Sequence, residues 1–242
     1  MEALDSYLTQ LNLPGMLASY QQEATLCQTS GASYETYLCR LSEQEVLSRM
    51  SRKIQLRIKK AQFPSLKTLD NFDFSRLPQI DKKHVLRLMQ GGFADKSENI
   101  LALGNSGTGK THLALALGLT FCQKGESVLF QTAAHLVHSL IEAHDEKKLL
   151  NFKKKLRSYT ILIIDELGYV PFSKTGAELL FEVLSDRYEQ KSVIITSNLP
   201  FEEWPQIFGC HRLTGALLDR LTHHSHILLM NGDSYRVADR KS

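Results

Sequence analysis

The chain has 242 residues, a net charge of +3 and an ordinary globular composition, with 43% hydrophobic and 23% charged residues. No apolar run approaches the roughly 18 residues of a membrane span, and the N-terminus lacks a signal-peptide pattern, so we expect neither a membrane protein nor a secreted one. The four cysteines have neither the paired spacing of a zinc site nor the density of a disulfide framework, which predicts a reducing, cytoplasmic location.

The first 66 residues are predicted to form a small all-helical domain. Leucines recur at helical spacing between Leu4 and Leu13, the pair Pro14 and Gly15 interrupts that pattern, and helical spacing returns over residues 34–41. We therefore expect a domain boundary after residue 66, with a second domain over residues 67–242.

A basic stretch at residues 46–62 contains six lysines and arginines and no acid. On a helical projection these bases lie opposite an apolar face formed by Leu47, Met50, Ile54, Ile58 and Ala61. Solubility alone is normally served by charges of both signs, so an acid-free arc favours contact with nucleic acid phosphates. A solvated face stays open as the alternative, and a membrane surface is disfavoured because flanking Trp and Phe are missing. The candidate DNA-binding residues are Arg49, Arg52, Lys53, Arg57, Lys59 and Lys60.

A glycine-rich loop occupies residues 104–111, after an irregular linker over residues 65–80 and a short predicted helix over residues 82–89. An apolar run precedes the loop and apolar residues at helical spacing follow it, which is the strand–loop–helix context of a phosphate-binding loop. Glycines let successive N–H groups point at an anion, and the next helix adds its positive dipole end. We therefore predict a nucleotide site formed by Gly104, Asn105, Ser106, Gly107, Thr108, Gly109, Lys110 and Thr111.

Two residues of this loop have specific chemistry. Lys110 supplies a charge for the β- and γ-phosphates of a nucleotide, and the hydroxyl of Thr111 is placed to bind Mg²⁺. Upstream, the linker contains Phe72 and Phe74, which could either contact an adenine ring or pack in the core.

The segment after the loop is predicted to contain a strand over residues 127–131 and helices over residues 134–143 and 147–157. The second of these helices has a further group of bases, namely Lys147, Lys148, Lys153, Lys154, Lys155 and Arg157. A solvated face and contact with DNA stay equally open for this group.

A continuous apolar, β-branched run at residues 160–164 is typical of a strand buried on both faces, and it ends in Asp165 and Glu166. Ligands of parallel α/β sheets bind at the carboxyl ends of the strands, so we expect these acids to face the glycine-rich loop. Asp165 fits the Mg²⁺ shell, and Glu166 fits the base that orients the attacking water in hydrolysis. We prefer this interpretation to a strand that merely ends in two acids.

A helix over residues 175–188 and a strand over residues 192–198 are predicted next. Asn198, at the end of that strand, is a candidate for a hydrogen bond to the attacking water or the γ-phosphate, and the start of a turn is its alternative role.

The last predicted elements are a helix over residues 213–221 and a strand over residues 225–230. Arg220 is a candidate for the cation that stabilises the γ-phosphate in the transition state, supplied to a neighbouring subunit. Three histidines follow, and we expect them to be solvated rather than metal-bound, because a helix end that runs into a strand places them on different faces. They are His223, His224 and His226.

Four motifs together resemble the IstB family, the ATP-binding helper proteins of insertion-sequence transposition, in the AAA+ clade shared with the helicase loader DnaC. They lie at residues 104–111, 165–171, 196–200 and 213–220. The resemblance covers almost the whole chain and implies an AAA+ α/β core with a mostly parallel sheet, preceded by a small helical domain. It also implies ATP and Mg²⁺ as cofactors, DNA-stimulated ATP hydrolysis, self-assembly into a homo-oligomer on double-stranded DNA, and delivery of target DNA to a partner transposase.

The family's site residues transfer onto matching positions of this sequence. Walker A corresponds to Lys110 and Thr111, Walker B to Asp165 and Glu166, sensor 1 to Asn198 and the arginine finger to Arg220. Too few residues follow Asn198 for a full C-terminal helical lid, and Arg236 is the one candidate for a sensor 2 arginine.

The favoured function is therefore an ATP-dependent DNA-remodelling regulator of transposition. A DnaC-like replicative helicase loader is the alternative. It would share the same catalytic residues, but its N-terminal domain would bind a helicase instead of DNA. A metabolic P-loop kinase is disfavoured because nothing in the sequence indicates an acceptor-substrate pocket. The acid-free basic helix favours DNA over a helicase as the N-terminal partner.

Overall fold

The structure is a computed structural model that describes residues 2–232. The chain divides into two compact units, of which the first ends at Leu56 and the second begins at Arg57. No helix of the described residues is long and apolar enough to cross a membrane. Because the division lies inside a continuous helix, the functional domain boundary after residue 66 stays a prediction.

The N-terminal part of the chain is helical, as predicted: α1 (Glu2–Gln10), α2 (Pro14–Ser30) and α3 (Tyr34–Ala61). Proline suits the first position of α2, because its missing N–H has no partner there in any helix. Gly31 ends α2 in the left-handed conformation at φ 63°, where its N–H bonds back to the last turn. The small core of this unit contains Leu8, Tyr20 and Leu41.

A buried glutamate joins α2 to α3. The carboxylate of Glu45 is 4% exposed and accepts hydrogen bonds from the N–H groups of Gly15 and Met16, at 2.6 and 3.1 Å. It therefore caps the first turn of α2 from another helix. Arg49 donates from Nε to Glu45 at 2.7 Å and from Nη2 to the carbonyl of Asn12 at 3.0 Å. Gly15 is required here because a Cβ would lie 2.7 Å from the Cα of Glu45.

The second unit contains a five-stranded, all-parallel sheet. Its strands are β1 (Asn99–Leu103), β2 (Val128–Thr132), β3 (Ile161–Leu167), β4 (Ser192–Ser197) and β5 (Ser225–Leu229), in the order β2-β3-β4-β1-β5. The three central strands are buried apolar runs, as expected for a parallel sheet covered on both faces. The α/β fold class is thereby confirmed.

Helices cover both faces of the sheet: α4 (Lys82–Gln90), α5 (Gly92–Asp95), α6 (Lys110–Lys124), α7 (Ala133–Asp145), α8 (Leu149–Arg157), α9 (Lys174–Arg187), α10 (Trp204–Phe208) and α11 (His211–His223). Alternate strand residues enter two different cores, for example Leu162 and Ile164 in one and Ile161 and Ile163 in the other. The linker of residues 65–80 is irregular, as predicted, with two short 3₁₀ turns at Leu69–Asn71 and Phe74–Arg76.

Strand β3 differs from its prediction. The sequence pattern places its end at residue 164, whereas the strand continues to Leu167 and includes Asp165 and Glu166. The pairing with β4 shifts register between Ile164 and Leu167, which identifies a β-bulge. The two acids interrupt the apolar pattern but not the strand, because the bulge lets the chain rejoin the ladder after them.

Candidate functional site

The glycine-rich loop connects the carboxyl end of β1 to the first turn of α6. Its three glycines have positive φ values, 149° at Gly104, 81° at Gly107 and 91° at Gly109, which side chains rarely allow. Gly104 is also tightly packed, since a Cβ there would collide with the carbonyl of Met230. The loop therefore has the conformation in which backbone N–H groups and a helix N-terminus converge on an anion.

A cavity of about 920 Å³ opens at this loop. Its lining includes Lys110 and Thr111 from the first turn of α6, Glu166 from β3 and Asn198 from just after β4. The register explains this, because Leu103 pairs with Ser197 and the N–H of Gly104 donates to the carbonyl of Ser197 at 3.2 Å. Ser106, Gly107 and Gly109 also line the cavity.

Other predicted loop residues shape the loop from within. Thr108 is buried, and its hydroxyl donates to the carbonyl of Asn105 at 2.9 Å. The ammonium of Lys110 donates to the carbonyls of Gly104 and Asn105 at 2.7 and 2.6 Å. These contacts hold the lysine charge against the loop, at the place where the N–H groups of the loop converge.

Thr111 and Asp165 form an oxygen-rich pair beside the cavity. The hydroxyl of Thr111 donates to the two carboxylate oxygens of Asp165 at 2.9 and 3.1 Å, and Asp165 is only 3% exposed. A hydroxyl and a carboxylate are the hard oxygen donors that Mg²⁺ prefers. This pair therefore fits the predicted metal.

Glu166 is exposed to the cavity and has an unusual backbone conformation. Its φ is 59°, in the left-handed region, which costs a residue with a side chain about 1–2 kcal/mol. The N–H of Glu166 donates to the hydroxyl of Thr196 at 3.0 Å. Five other described non-glycine residues share the left-handed conformation, so it does not by itself mark Glu166 as functional.

The linker contributes an aromatic wall to the same cavity. Phe72 is 8% exposed, makes edge contacts with Phe74 and His112 at centroid distances of 4.8 and 5.4 Å, and would touch any side chain at Gly109. The ring of His112 is hydrogen-bonded to the carbonyl of Thr68 at 2.8 Å. Phe72 belongs to the core and also lines the cavity, so the two roles left open by the sequence are compatible for this ring.

Arg220 is far from the cavity of its own chain. It lies in the last turn of α11, which leads into the amino end of β5, whereas the cavity is at the carboxyl ends of the strands. A five-residue strand separates these two edges by about 16 Å. The guanidinium donates to the carbonyl of Ala216 at 2.7 Å and lies over the ring of Phe181.

The three histidines separate into two groups. His223 and His224 lie side by side with ring centroids 4.1 Å apart, and their ligand atoms and that of Glu189 lie within 4.8 Å of one another. We expected the three histidines to lie on different faces, and this is wrong for His223 and His224. Helix α11 ends at His223, and the chain then places the ring of His224 beside that of His223. His226 is separate and bonds to Glu98 at 2.8 Å. Glu189, His223 and His224 are all exposed.

The predicted DNA-binding bases lie along α3 and are mostly exposed. Arg49 differs from the others because Glu45 and Asn12 hold its guanidinium. In the described part of the chain, Lys53, Lys59 and Lys60 make no ion pair. On the apolar face, Leu47 and Met50 are half exposed, whereas Ala61 is buried.

Three of the six bases of residues 147–157 form ion pairs. Lys153 pairs with Glu182 and Asp186 at 3.1 and 3.0 Å, and Arg157 pairs with Asp186 at 2.6 Å. Lys148 pairs with Glu146. These contacts favour a solvated, ion-paired role for Lys148, Lys153 and Arg157, whereas both roles stay open for the other three bases. Arg236, the sensor 2 candidate, and the expected lack of a lid concern residues outside the described range.

The sequence pattern did not single out Thr196 or His112. Thr196 lies in β4 two residues before the predicted sensor, and its hydroxyl accepts the backbone N–H of Glu166 and donates to the carboxylate of Asp165. The sequence alone gives little indication of this contact, because Thr196 lies beside the two acids only when β4 pairs with β3.

Comparisons with known proteins agree with this geometry. The family model described as IstB-like ATP binding protein matches residues 6–242. The ATP-binding protein of insertion sequence IS5376 from Geobacillus stearothermophilus is 41% identical over 243 residues, covering 99% of this chain and 96% of that protein. The corresponding IS21 protein from Pseudomonas aeruginosa is 40% identical, covering 100% and 91%.

Among solved structures, the replication initiator DnaA bound to AMPPCP and single-stranded DNA superposes with a TM-score of 0.58. The match has 20% identity and covers 69% of this chain and 50% of that chain. DnaI superposes with a TM-score of 0.57 at 16% identity, covering 68% and 90%. At these identities the likeness shows the fold alone.

Proposed function

The chain belongs to the IstB-like ATP-binding family, and on that premise we propose that it hydrolyses ATP as a DNA-bound oligomer and delivers target DNA to a partner transposase. The observation that carries the proposal is the convergence of Lys110, Thr111 and Glu166 on one cavity, with Asp165 bonded beside it. The insertion-sequence origin of its relatives supports the role in transposition.

The cavity supplies the contacts that a nucleoside triphosphate needs. The N–H groups of the glycine-rich loop and the ammonium of Lys110 bind the phosphates, and Phe72 offers a ring face toward the adenine. Thr111 and Asp165 would hold Mg²⁺, which when bound neutralises phosphate charge.

Hydrolysis requires a group that orients water and a group that senses the γ-phosphate. Glu166 is the exposed carboxylate of the cavity and accepts a hydrogen bond from the attacking water. Asn198 extends from the end of β4 into the same cavity and donates a hydrogen bond to the water or the phosphate.

The position of Arg220 supports assembly. Since it lies at the opposite edge of the sheet from its own cavity, a neighbouring copy supplies this arginine to the γ-phosphate in a head-to-tail contact. The exposed bases of α3 bind the phosphate backbone of double-stranded DNA, and occupancy by DNA raises hydrolysis by promoting this contact.

The test removes the water-orienting group without removing the nucleotide site. Glu166→Gln is expected to bind ATP within a few-fold of wild type while turnover falls about 100-fold or more, the usual range for loss of a general base. Lys110→Ala is expected to weaken ATP binding itself. Nucleotide titration and steady-state ATPase assays, each with and without duplex DNA, measure both effects.

Glu178→Gln provides the control, because it removes an exposed carboxylate of α9 outside the cavity. It should leave binding and turnover unchanged. Near wild-type hydrolysis by Glu166→Gln would show that another group activates water, and absence of ATP binding by the wild-type chain would overturn the proposed function.

A further inference from the structure

The bulge in β3 places one residue of β4 opposite both acids. Ile164 pairs with Ile195 and Leu167 pairs with Ser197, so the two residues Asp165 and Glu166 face Thr196 alone. In a regular ladder each residue would have its own partner, and the extra residue of a bulge leaves a backbone group unpaired. A side chain must then satisfy that group.

The hydroxyl of Thr196 does this and also contacts the neighbouring acid. It accepts the N–H of Glu166 at 3.0 Å and donates to Oδ1 of Asp165 in a very short hydrogen bond. Thr196 is 1% exposed, so water does not replace these bonds freely. One hydroxyl therefore links the strained backbone of Glu166 to the carboxylate that Thr111 also contacts.

We propose that Thr196 is a positioning residue for ATP hydrolysis: its hydroxyl holds the bulge that turns Glu166 into the cavity. The inference rests on the proposed function, because it acts through Glu166 as the water-orienting group. Thr196 itself does not have to touch the substrate. Its loss should reduce turnover and leave ATP binding largely intact.

Two substitutions separate the hydroxyl from the shape of the side chain. Thr196→Val keeps the branched volume and removes the hydroxyl, which leaves the N–H of Glu166 without its partner. Thr196→Ser keeps the hydroxyl and removes a methyl group. Thr214→Val is the matched control, because Thr214 is also 1% exposed and its hydroxyl bonds to the carbonyl of Cys210, the residue before α11.

The measurement is kcat and KM for ATP hydrolysis, with ATP binding by titration to verify the fold. Thr196→Val is expected to lower kcat about 10-fold or more with KM within about three-fold, and Thr196→Ser to stay within about three-fold of wild type. Thr214→Val should keep the wild-type kcat.

A double-mutant cycle supplies a readout that a merely structural role would not give. If Thr196 acts through Glu166, adding Thr196→Val to Glu166→Gln should lower single-turnover hydrolysis little further. Equal losses in both backgrounds, equal loss in Thr196→Ser and Thr196→Val, or wild-type kcat in Thr196→Val would overturn the inference.

The two proposals fail in different ways. If Glu166→Gln hydrolyses ATP normally, the assigned water-orienting group is wrong and the inference falls with it. If Glu166→Gln is inactive and Thr196→Val hydrolyses ATP normally, only the positioning role is overturned.

Discussion

Two adjacent carboxylates of β3 have different surroundings, and this difference supports a different proposed role for each. Asp165 is buried and accepts hydrogen bonds from Thr111 and Thr196, so it is held in one orientation. Glu166 is exposed to the cavity and its side chain is free of such contacts among the described residues. A fixed carboxylate suits a metal ligand, whereas an accessible one suits contact with water.

At the residue scale, the motifs predicted which side chains gather at the cavity. The spacing of Lys110 and Thr111 within the loop, and of Asp165 and Glu166 after an apolar run, was enough for this. The left-handed conformation of Glu166 and the contacts of Thr196 were not predictable, because they arise from the pairing of β3 with β4. Nothing local in either segment encodes that register.

Glu45 gives a pH-dependent prediction at the same scale. The hydrogen bond from Arg49 lowers the pKa of Glu45, burial opposes that shift, and the N–H groups of Met16 and Gly15 reinforce it. A carboxylate with a depressed folded pKa stabilises the fold above its unfolded pKa of about 4.3, and this contribution is lost as pH falls through the folded pKa. Glu45→Gln should therefore increase amide exchange at the start of α2 at neutral pH.

Hydrogen exchange measured by mass spectrometry on peptides from residues 14–30 checks this. The control is Glu43→Gln, an exposed glutamate two residues away on α3. Variant and control are compared at each pH, so intrinsic exchange rates cancel. The difference should shrink as pH falls toward the folded pKa, and a difference independent of pH would contradict the capping role.

At the scale of elements, the apolar runs predicted all five strands, and helical spacing predicted the main helices around them. The strand order was not predictable, because it depends on contacts between distant segments. The buried Arg187 illustrates this, since its guanidinium donates to the carbonyls of Leu156, Tyr159, Thr160 and Ser192. Burial lowers the pKa of Arg187 to about 10. An arginine at the end of a predicted helix does not by itself indicate that it joins the carbonyls of several distant segments.

The prediction about DNA binding concerns the exposed bases of helix α3. Arg49 is held by Glu45, so its removal would disturb the N-terminal fold as well as any DNA contact. Lys53 and Lys60 are exposed and lie seven residues apart on one helix face. Replacing both with Ala should weaken binding to every duplex sequence alike and flatten the slope of log affinity against log salt by about 2.

The measurement is duplex binding across a range of salt concentrations. Lys147→Ala with Lys154→Ala provides a control with the same change of charge in the second basic group. An unchanged slope for the α3 variant would indicate a solvated or protein-facing helix, as the helicase-loader alternative requires. A flattened slope for the control alone would place the DNA at residues 147–157 instead.

At the scale of the whole molecule, the ATP site is proposed to be completed only by assembly. The cavity is at one edge of the sheet and Arg220 is at the other, so in the proposed assembly one chain would present its cavity to one neighbour and its arginine to another. Contacts of this head-to-tail kind generate rings or helical filaments. The motif alone predicted an arginine for a neighbouring subunit, and the separation along the sheet is what makes action within one chain implausible.

The measurement that tests this central claim most directly mixes two inactive variants in the presence of ATP and duplex DNA. Arg220→Ala keeps an intact nucleotide site and lacks the arginine, whereas Lys110→Ala lacks the nucleotide site and keeps the arginine. Each alone should lose activity, by about 1,000-fold or more for Arg220→Ala. Arg212→Ala, an exposed arginine of the same helix, should keep wild-type activity.

In an equal mixture, random head-to-tail assembly places an Arg220→Ala site beside a Lys110→Ala neighbour at about one quarter of the contacts. We expect recovery of about that fraction of wild-type ATP hydrolysis, with mixed oligomers verified by native mass spectrometry of isotopically labelled subunits. A mixture that contains mixed oligomers and hydrolyses ATP no faster than its two parents would show that Arg220 does not act on a neighbouring site.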